Sequence, residues 1–307
     1  MFVVCGEALF DVFATGETPT GLAMDARIGG SPFNVAVGLA RLGQPVAFLS
    51  QVSRGFLGER LMRALVAEGV DTRTVQRSDA PTTLSLIGVD GRGVPAYSFY
   101  GEGCADRLLD AAALDALPTG VKAIHFGSYA TVVGRTAETQ RRLVERAQGR
   151  ALVAYDPNIR LNVEPRLEVW RAHVEWMLPR TQLLKVSDED LGLVWPGLAP
   201  EAFAARALAQ GVALVVVTRG GEGALGWTAS AQVTAAPVKV TVVDTVGAGD
   251  TFQAALLTWL AEREALEAGA LGALTPEPLA DALAFAARAA AITCSRRGAD
   301  MPRRAEV

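Results

Sequence analysis

The feature that most limits the folds open to this chain is a repeated alternation of short apolar runs with longer amphipathic ones. Val46–Ser50 precedes Leu57–Glu68, Ala123–Phe126 precedes Thr136–Ala147, and Ala151–Tyr155 precedes Arg166–Met177. Leu183–Val186 precedes a helix starting near Asp188, and Ala213–Thr218 follows. Apolar runs this continuous suit strands buried on both faces. The pattern therefore predicts an α/β fold, a mostly parallel central sheet with helices on both faces. Ligands in such sheets bind beyond the carboxyl ends of the strands.

The chain has 307 residues, which suffices for one α/β domain over 1–307 with a small accessory element. Two segments supply that element. Val12–Ile28 alternates without a helical period. Thr82–Asp90 and Val94–Tyr100 alternate too, and Asp90-Gly-Arg-Gly93 between them is a hairpin signal. A sheet this small is marginal alone. The expectation is a lid built from residues 12–28 and 82–103 that packs over a ligand.

Half of the residues are hydrophobic, 20% are charged, and the formal net charge is −4. That balance gives no reason to expect nucleic acid or an anionic membrane surface as a partner. No apolar run reaches the ~20 residues a bilayer requires. Met1–Cys5 reads as a strand and not as a leader, so a cytoplasmic protein is expected. Cys5, Cys104 and Cys294 are odd in number and widely spaced, as reduced thiols are. With His125 and His173 as the only histidines, a zinc site is not expected. An exposed lid sheet could pair with a second copy, so a homodimer is open.

The chemistry is carried by Asp244-Thr-Val-Gly-Ala-Gly-Asp-Thr-Phe252. The alternation in Val238–Val243 predicts a strand before it, and Thr251–Leu260 predicts a helix after it. Gly247 and Gly249 sit where strand turns into helix. Free backbone N–H groups and the helix dipole there make an anion site. Asp250 lies inside that site. Binding an anion gives no reason for a carboxylate there, whereas deprotonating an attacking hydroxyl does. The motif points to phosphoryl transfer to an alcohol. A plain helix cap is the competing explanation.

A second glycine site is Gly29-Gly-Ser-Pro-Phe-Asn-Val-Ala36. Gly29 and Gly30 permit close backbone approach to a ligand. Asn34 can donate and accept, which suits a polyhydroxyl sugar. Asp11 at the end of the first strand-like run can accept from a pair of sugar hydroxyls. Tyr97 and Phe99 share one face of their strand and could shield a sugar, with Tyr100 on the other face. Gly221-Glu-Gly-Ala-Leu-Gly226 matches a dinucleotide fingerprint. However, Ala224–Thr228 and Gln232–Thr234 read as strands where that fingerprint needs a helix, so a Rossmann site is not expected. Nowhere is Gly followed by Lys, which excludes a P-loop.

Gly29–Ala36 and Asp244–Phe252 resemble the two signatures of the ribokinase (PfkB-type) sugar kinase family. The resemblance runs the length of the chain. Gly6-Glu-Ala-Leu-Phe-Asp11, Ala80-Pro-Thr-Thr83, Ala105-Asp-Arg-Leu108, Tyr155-Asp-Pro-Asn-Ile-Arg160 and Lys185-Val-Ser-Asp-Glu-Asp190 are similar to its fructokinase branch. The resemblance implies a ribokinase-like fold and ATP-dependent phosphorylation of a sugar hydroxyl, with fructose to fructose 6-phosphate as the favoured reaction. It implies Asp250 as general base and the N–H groups of Gly247, Ala248 and Gly249 as the anion hole. Asp11, Gly29, Gly30, Asn34 and Ser128 match sugar positions, and Arg160 matches a basic residue beside the transferred phosphoryl. Thr218, Gly220, Gly223, Ser187 and Gly249 match nucleotide positions.

Magnesium is implied with Asp190, although Ser187-Asp-Glu-Asp190 stands where many relatives carry Asn-x-x-Glu. Ala287 stands where many carry an asparagine near the adenine. A monovalent cation, potassium, is implied at Asp244 and Val246. Related 2-keto-3-deoxygluconate kinases place a lid arginine where this chain has Gly101, which favours a neutral sugar, although Arg107 could substitute. That keto-acid kinase, or a non-catalytic sugar-binding regulator, is the alternative.

Overall fold

The computed structural model describes residues 1–89 and 95–307. Strands and helices are numbered in chain order. Strand β1 (Phe2–Cys5) lies inside a nine-stranded sheet, with β4 (Val46–Ser53) and then β5 (Val75–Ser78) on one side. On the other side follow β8 (Ala123–Gly127), β9 (Leu152–Asp156), β10 (Leu183–Ser187) and β11 (Leu214–Thr218). All of these pairings are parallel. The edge strands β12 (Ala224–Trp227) and β13 (Gln232–Ala235) add on antiparallel, which removes the fingerprint Gly221–Gly226 from any strand-to-helix turn.

Side-chain alternation divides the core into two layers. Phe2 and Val4 face α1 (Ser31–Arg41), α2 (Phe56–Ala67), α7 (Ala248–Glu262) and α9 (Pro276–Cys294), with the short α8 (Ala268–Gly272) between the last two. Val3 and Cys5 face α3 (Gly134–Ala147), α4 (Leu167–Met177), α5 (Asp188–Val194) and α6 (Pro200–Ala209). A strand buried on both faces must be apolar at every position, which is why these segments read as continuous runs. None of the described helices is long and apolar enough to cross a membrane.

A second sheet of four strands has the order β3-β2-β6-β7, built from β2 (Leu9–Thr18), β3 (Gly21–Gly29), β6 (Leu84–Val89) and β7 (Pro95–Tyr100). Its first hairpin carries a bulge between Ala14 and Gly16. The expected turn Asp90–Gly93 and the side chain of Tyr97 lie outside the described residues. The sheet forms where alternation without helical period predicted it.

One expected strand is absent. Val238–Val243 forms none, and Val238, Val240, Val242 and Val243 are exposed. Strand β13 ends at Ala235 before Pro237, which has no N–H for a ladder. The chain then leaves the sheet and anchors on the end of α9, where Val243 and Asp244 N–H both donate to the Cys294 carbonyl at 2.8 and 3.2 Å. Alternation describes an extended backbone, and extension without a free sheet edge is not a strand. The helix after it also begins earlier than expected, at Ala248.

The contact between Phe33 of α1 and Phe48 of β4 locks one layer to the sheet, edge to face with centroids 6.0 Å apart. Phe48 is fully buried. Replacing Phe48 by Ala should destabilise the protein by about 3–5 kcal/mol, read as a lower urea midpoint with an unchanged m value.

Candidate active site

Gly247 caps α7 in the left-handed conformation with φ 79°, and a side chain there would also press into Ala299. That geometry turns the first amides of α7 outward. Ala248 N–H folds back to the Thr245 carbonyl at 3.2 Å. The N–H groups of Gly247, Gly249 and Asp250 have no backbone acceptor among the described residues and are free for an anion.

Asp250 follows immediately and is buried. Ser31 Oγ donates to its Oδ1 at 2.6 Å and Asn34 Nδ2 donates to its Oδ2 at 2.8 Å. Both donors lie in the first turn of α1. Burial pushes the Asp250 acid above the ordinary carboxylate range, and the Ser31 and Asn34 hydrogen bonds oppose that shift. Neither a lysine nor an arginine pairs with this carboxylate among the described residues. The result is a fixed base of raised affinity for a proton.

A cleft of about 620 Å³ opens in front of it, at the carboxyl ends of the parallel strands. Asp11, Gly30, Asn34, Ser128 and Arg160 line it together with Val246, Gly247, Gly249 and Asp250. Phe13, Ile87 and Phe99 of the four-stranded sheet form its far wall. Gly29 lies beside rather than in the cleft. A Cβ there would collide with the Asp11 carboxylate, so glycine lets Asp11 face the opening. Asn34 is committed to Asp250 through its amide nitrogen, so it orients the base as well as lining the cleft.

Three features were missed in the sequence. Ser31 could have been noticed as a hydroxyl at the helix opening between Gly30 and Pro32. Lys185 stands alone in the buried strand β10 and forms an ion pair with Asp156 at 2.7 Å. A charge inside a doubly buried strand demands a partner. Its Nζ would lie 3.7 Å from a Cβ on Gly249, which sets a positive charge under the free amides. The third feature is Tyr129, whose hydroxyl donates to Asp106 at 2.7 Å while Thr83 donates to the other oxygen.

The remaining expected residues lie outside this cleft. Ser187 caps α5 by accepting from Asp190 N–H at 3.0 Å. Asp190 is buried, accepts from Ile159 N–H at 3.2 Å, and is pushed to about 6 by burial and by Asp156. Thr218 ends β11, and Gly220 and Gly223 follow it in the loop to β12. Gly223 has a packing reason of its own, since a Cβ there would meet the Ala235 carbonyl. Asp244 accepts from the N–H groups of Val246 at 3.1 Å and Gly298 at 2.8 Å, with Arg27 at 3.8 Å. Arg27 itself donates hydrogen bonds to Asp25 at 2.6 and 2.8 Å. Beyond Gly101, a Cβ would lie 2.7 Å from Nη2 of Arg107, so Arg107 fills the space of a residue-101 side chain.

This geometry agrees with what the chain is similar to. The family model described as pfkB family carbohydrate kinase matches residues 1–305. A fructokinase of Rhizobium leguminosarum bv. trifolii is 37% identical over 262 residues, 85% of this chain and 79% of the relative. The crystal structure of fructokinase with bound ATP from Xylella fastidiosa superposes with a TM-score of 0.87 at 29% identity, covering 99% of this chain and 96% of that one. The fructokinase of Vibrio cholerae O395 in its fructose, ADP and calcium bound form gives 0.77 at 25% identity over 97% and 94% of the two chains. The chain belongs to the pfkB family of carbohydrate kinases, and it is a sugar kinase.

Proposed function

We propose that the protein transfers the γ-phosphoryl group of ATP to fructose, giving fructose 6-phosphate, with Asp250 as general base. The observation that carries the mechanism is the buried Asp250 carboxylate, fixed by Ser31 and Asn34 beside the free amides of α7. In this reading Asp250 takes the proton of the acceptor hydroxyl. The oxygen attacks the γ-phosphorus in line. The N–H groups of Gly247 and Gly249, Arg160 and the buried Lys185 stabilise the charge that spreads over the phosphoryl oxygens.

Fructose lies between Asp11, Ser128 and the wall formed by Phe13, Ile87 and Phe99. The four-stranded sheet acts as a lid that excludes water. ATP extends from the amide hole toward Thr218, Gly220 and Gly223. Magnesium neutralises phosphate charge when bound with the nucleotide. Asp190, crowded by Asp156, would be the carboxylate that holds it through water. A potassium ion near Asp244 would rest on carbonyls such as that of Val246, because the carboxylate already faces Arg27.

The setting is cytoplasmic, in keeping with the free thiols Cys5, Cys104 and Cys294. Leu22 and Met24 on the lid are exposed and suit pairing with a second copy. One observation favours a second acceptor. The Arg107 guanidinium makes no hydrogen bond or ion pair among the described residues, and it stacks on Phe99 and Tyr129 at 5.4 and 5.7 Å from the ring centroids. An unpaired guanidinium there suits the carboxylate of 2-keto-3-deoxygluconate.

ADP release with MgATP should be fastest on fructose when it is compared with 2-keto-3-deoxygluconate, ribose and adenosine. Fastest release on the keto acid would move the assignment to Arg107. Sugar binding without any release would make the protein a sugar-binding regulator. Asp250→Asn should lower kcat by about 10²–10⁴-fold while fructose binding survives in calorimetry.

Ser31→Ala tests the setting of the base. Losing a donor to the ionised form raises the carboxyl pKa further. The acid limb of kcat/KM, where activity falls as Asp250 is protonated, should therefore shift to higher pH than in the wild type. A shift to lower pH, or none, would remove Ser31 from the setting of this base.

A further inference from the structure

Three acids line the cleft: Asp11, Asp250 and Glu7. The transfer reaction gives the first two their work and leaves Glu7 without any. Glu7 sits just beyond β1, is 1% exposed, and has no ion-pair partner among the described residues. Its hydrogen bond from Ala130 N–H is long, at 3.4 Å. An ionised carboxylate so buried and so weakly satisfied would be costly, and such a group resolves the cost by keeping its proton. Burial pushes Glu7 up to about 8, with the nearby Asp106 adding to the shift. A hydrogen bond from its own backbone amide, one from Ser128 and the charge of Arg160 oppose the shift without reversing it.

The backbone beside Glu7 is built to a special geometry. Ser128 has φ 59° and ψ −164°, a region that glycine normally occupies. The turn is held by Ser128 N–H on the Asp156 carbonyl at 3.3 Å and by the Thr131 hydroxyl on the Ser128 carbonyl at 2.7 Å. Ala130 N–H on Glu7 is the third tie. A strained turn held at three points beside a neutral acid in a cleft wall indicates a surface shaped for a ligand.

We infer that Glu7 binds the acceptor sugar as a neutral carboxylic acid, donating its O–H to a sugar oxygen beside Ser128. A protonated carboxyl both donates and accepts, which matches a hydroxyl as an ionised one cannot. This inference rests on the sugar kinase reading of the cleft. The other titratable or charged groups around Glu7 are Cys5 on β1, Asp11 on β2, Asp106 after β7, Tyr129 after β8, Arg160 after β9 and Asp250 on α7. Burial raises both the Cys5 thiol and the Tyr129 phenol. Asp11, Asp106 and Asp250 are also raised.

The test compares wild type, Glu7→Gln and Glu7→Leu in fructose KM, MgATP KM and calorimetric fructose binding from neutral to alkaline pH. Glu7→Leu should weaken fructose roughly tenfold by leaving a sugar hydroxyl unpaired, with MgATP KM unmoved. Glu7→Gln, which also donates and accepts, should restore most of that loss. Wild-type affinity for fructose should fall above pH ~8 as Glu7 ionises, and the Glu7→Gln profile should lack that fall.

Fructose affinity unchanged in Glu7→Leu would overturn the contact. So would an alkaline fall that persists in Glu7→Gln, or a Glu7→Gln as weak as Glu7→Leu. If Glu7→Leu does not fold, the Glu7→Gln profile decides alone. Calorimetry reads all of this without turnover. Failure of the kinase reading, seen as no ADP release by the wild type, is thereby separate from failure of this one.

Discussion

The position of one carboxylate depends on how three helices meet. Asp250 is reached by Ser31 and Asn34 from the first turn of α1, so the N-termini of α1 and α7 must stay in register to tenths of an ångström. Their approach is close because Gly38 carries no side chain. A Cβ there would lie 2.8 Å from that of Ala254. The neighbouring Thr251 ties α7 to α9 through its hydroxyl, 2.8 Å from that of Thr293. A base on a mobile loop would lose this precision, whereas a base in a packed first turn inherits it from the core. The core layer that packs α1, α7 and α9 together thus sets the position of a carboxylate at its edge.

Charge is the second constraint. The whole protein is mildly acidic, so a nucleotide gains no long-range attraction. Negative charge is also abundant locally, with Asp11 and Asp250 in the cleft and Asp156 and Asp190 behind it. Three devices let a polyphosphate approach. Free amides of α7 present positive dipoles without an ion. Lys185 lies under those amides, in an ion pair with Asp156 at 2.7 Å. Arg160 remains exposed at the cleft and forms no ion pair among the described residues. Burial meanwhile makes Asp250 hungrier for a proton, and its two hydrogen bonds limit how far. The same burial supports the proposed role of Asp250 as the base.

Much of the site was legible because its residues lie in local motifs. Gly247 to Asp250 and Gly29 to Asn34 each form one turn, so their spacing alone announced two glycine turns opening helices. The parallel sheet was legible because doubly buried strands must be apolar throughout. What escaped is long-range. Nothing near Ser31 reveals that its partner lies 219 residues away, and the Lys185–Asp156 pair joins two strands with no local signature. The opposite error came from Val238–Val243. Local alternation there is genuine, but β13 had already closed that edge of the sheet, a fact of topology that no window of sequence contains. Asn34 illustrates a third limit. Its type announced a hydrogen-bonding role, and only the fold decided that the base takes one of its donors.

The proposed acceptor agrees with the same charge accounting. A sugar acid would bring a further carboxylate into a cleft already lined by Asp11 and Asp250, with Arg160 assigned to the phosphoryl group in the proposed reaction. Arg107 alone could offset it, and Arg107 does not itself line the cleft. It stacks against Phe99 and Tyr129 and would have to leave both rings to reach a ligand. A neutral ketose asks for no such movement. Its hydroxyls can donate to Asp11 and meet a protonated Glu7, and its carbon face can lie on Phe99. On these terms the proposed acceptor, fructose, asks for no rearrangement, and the aromatic stack holds Arg107 away from it.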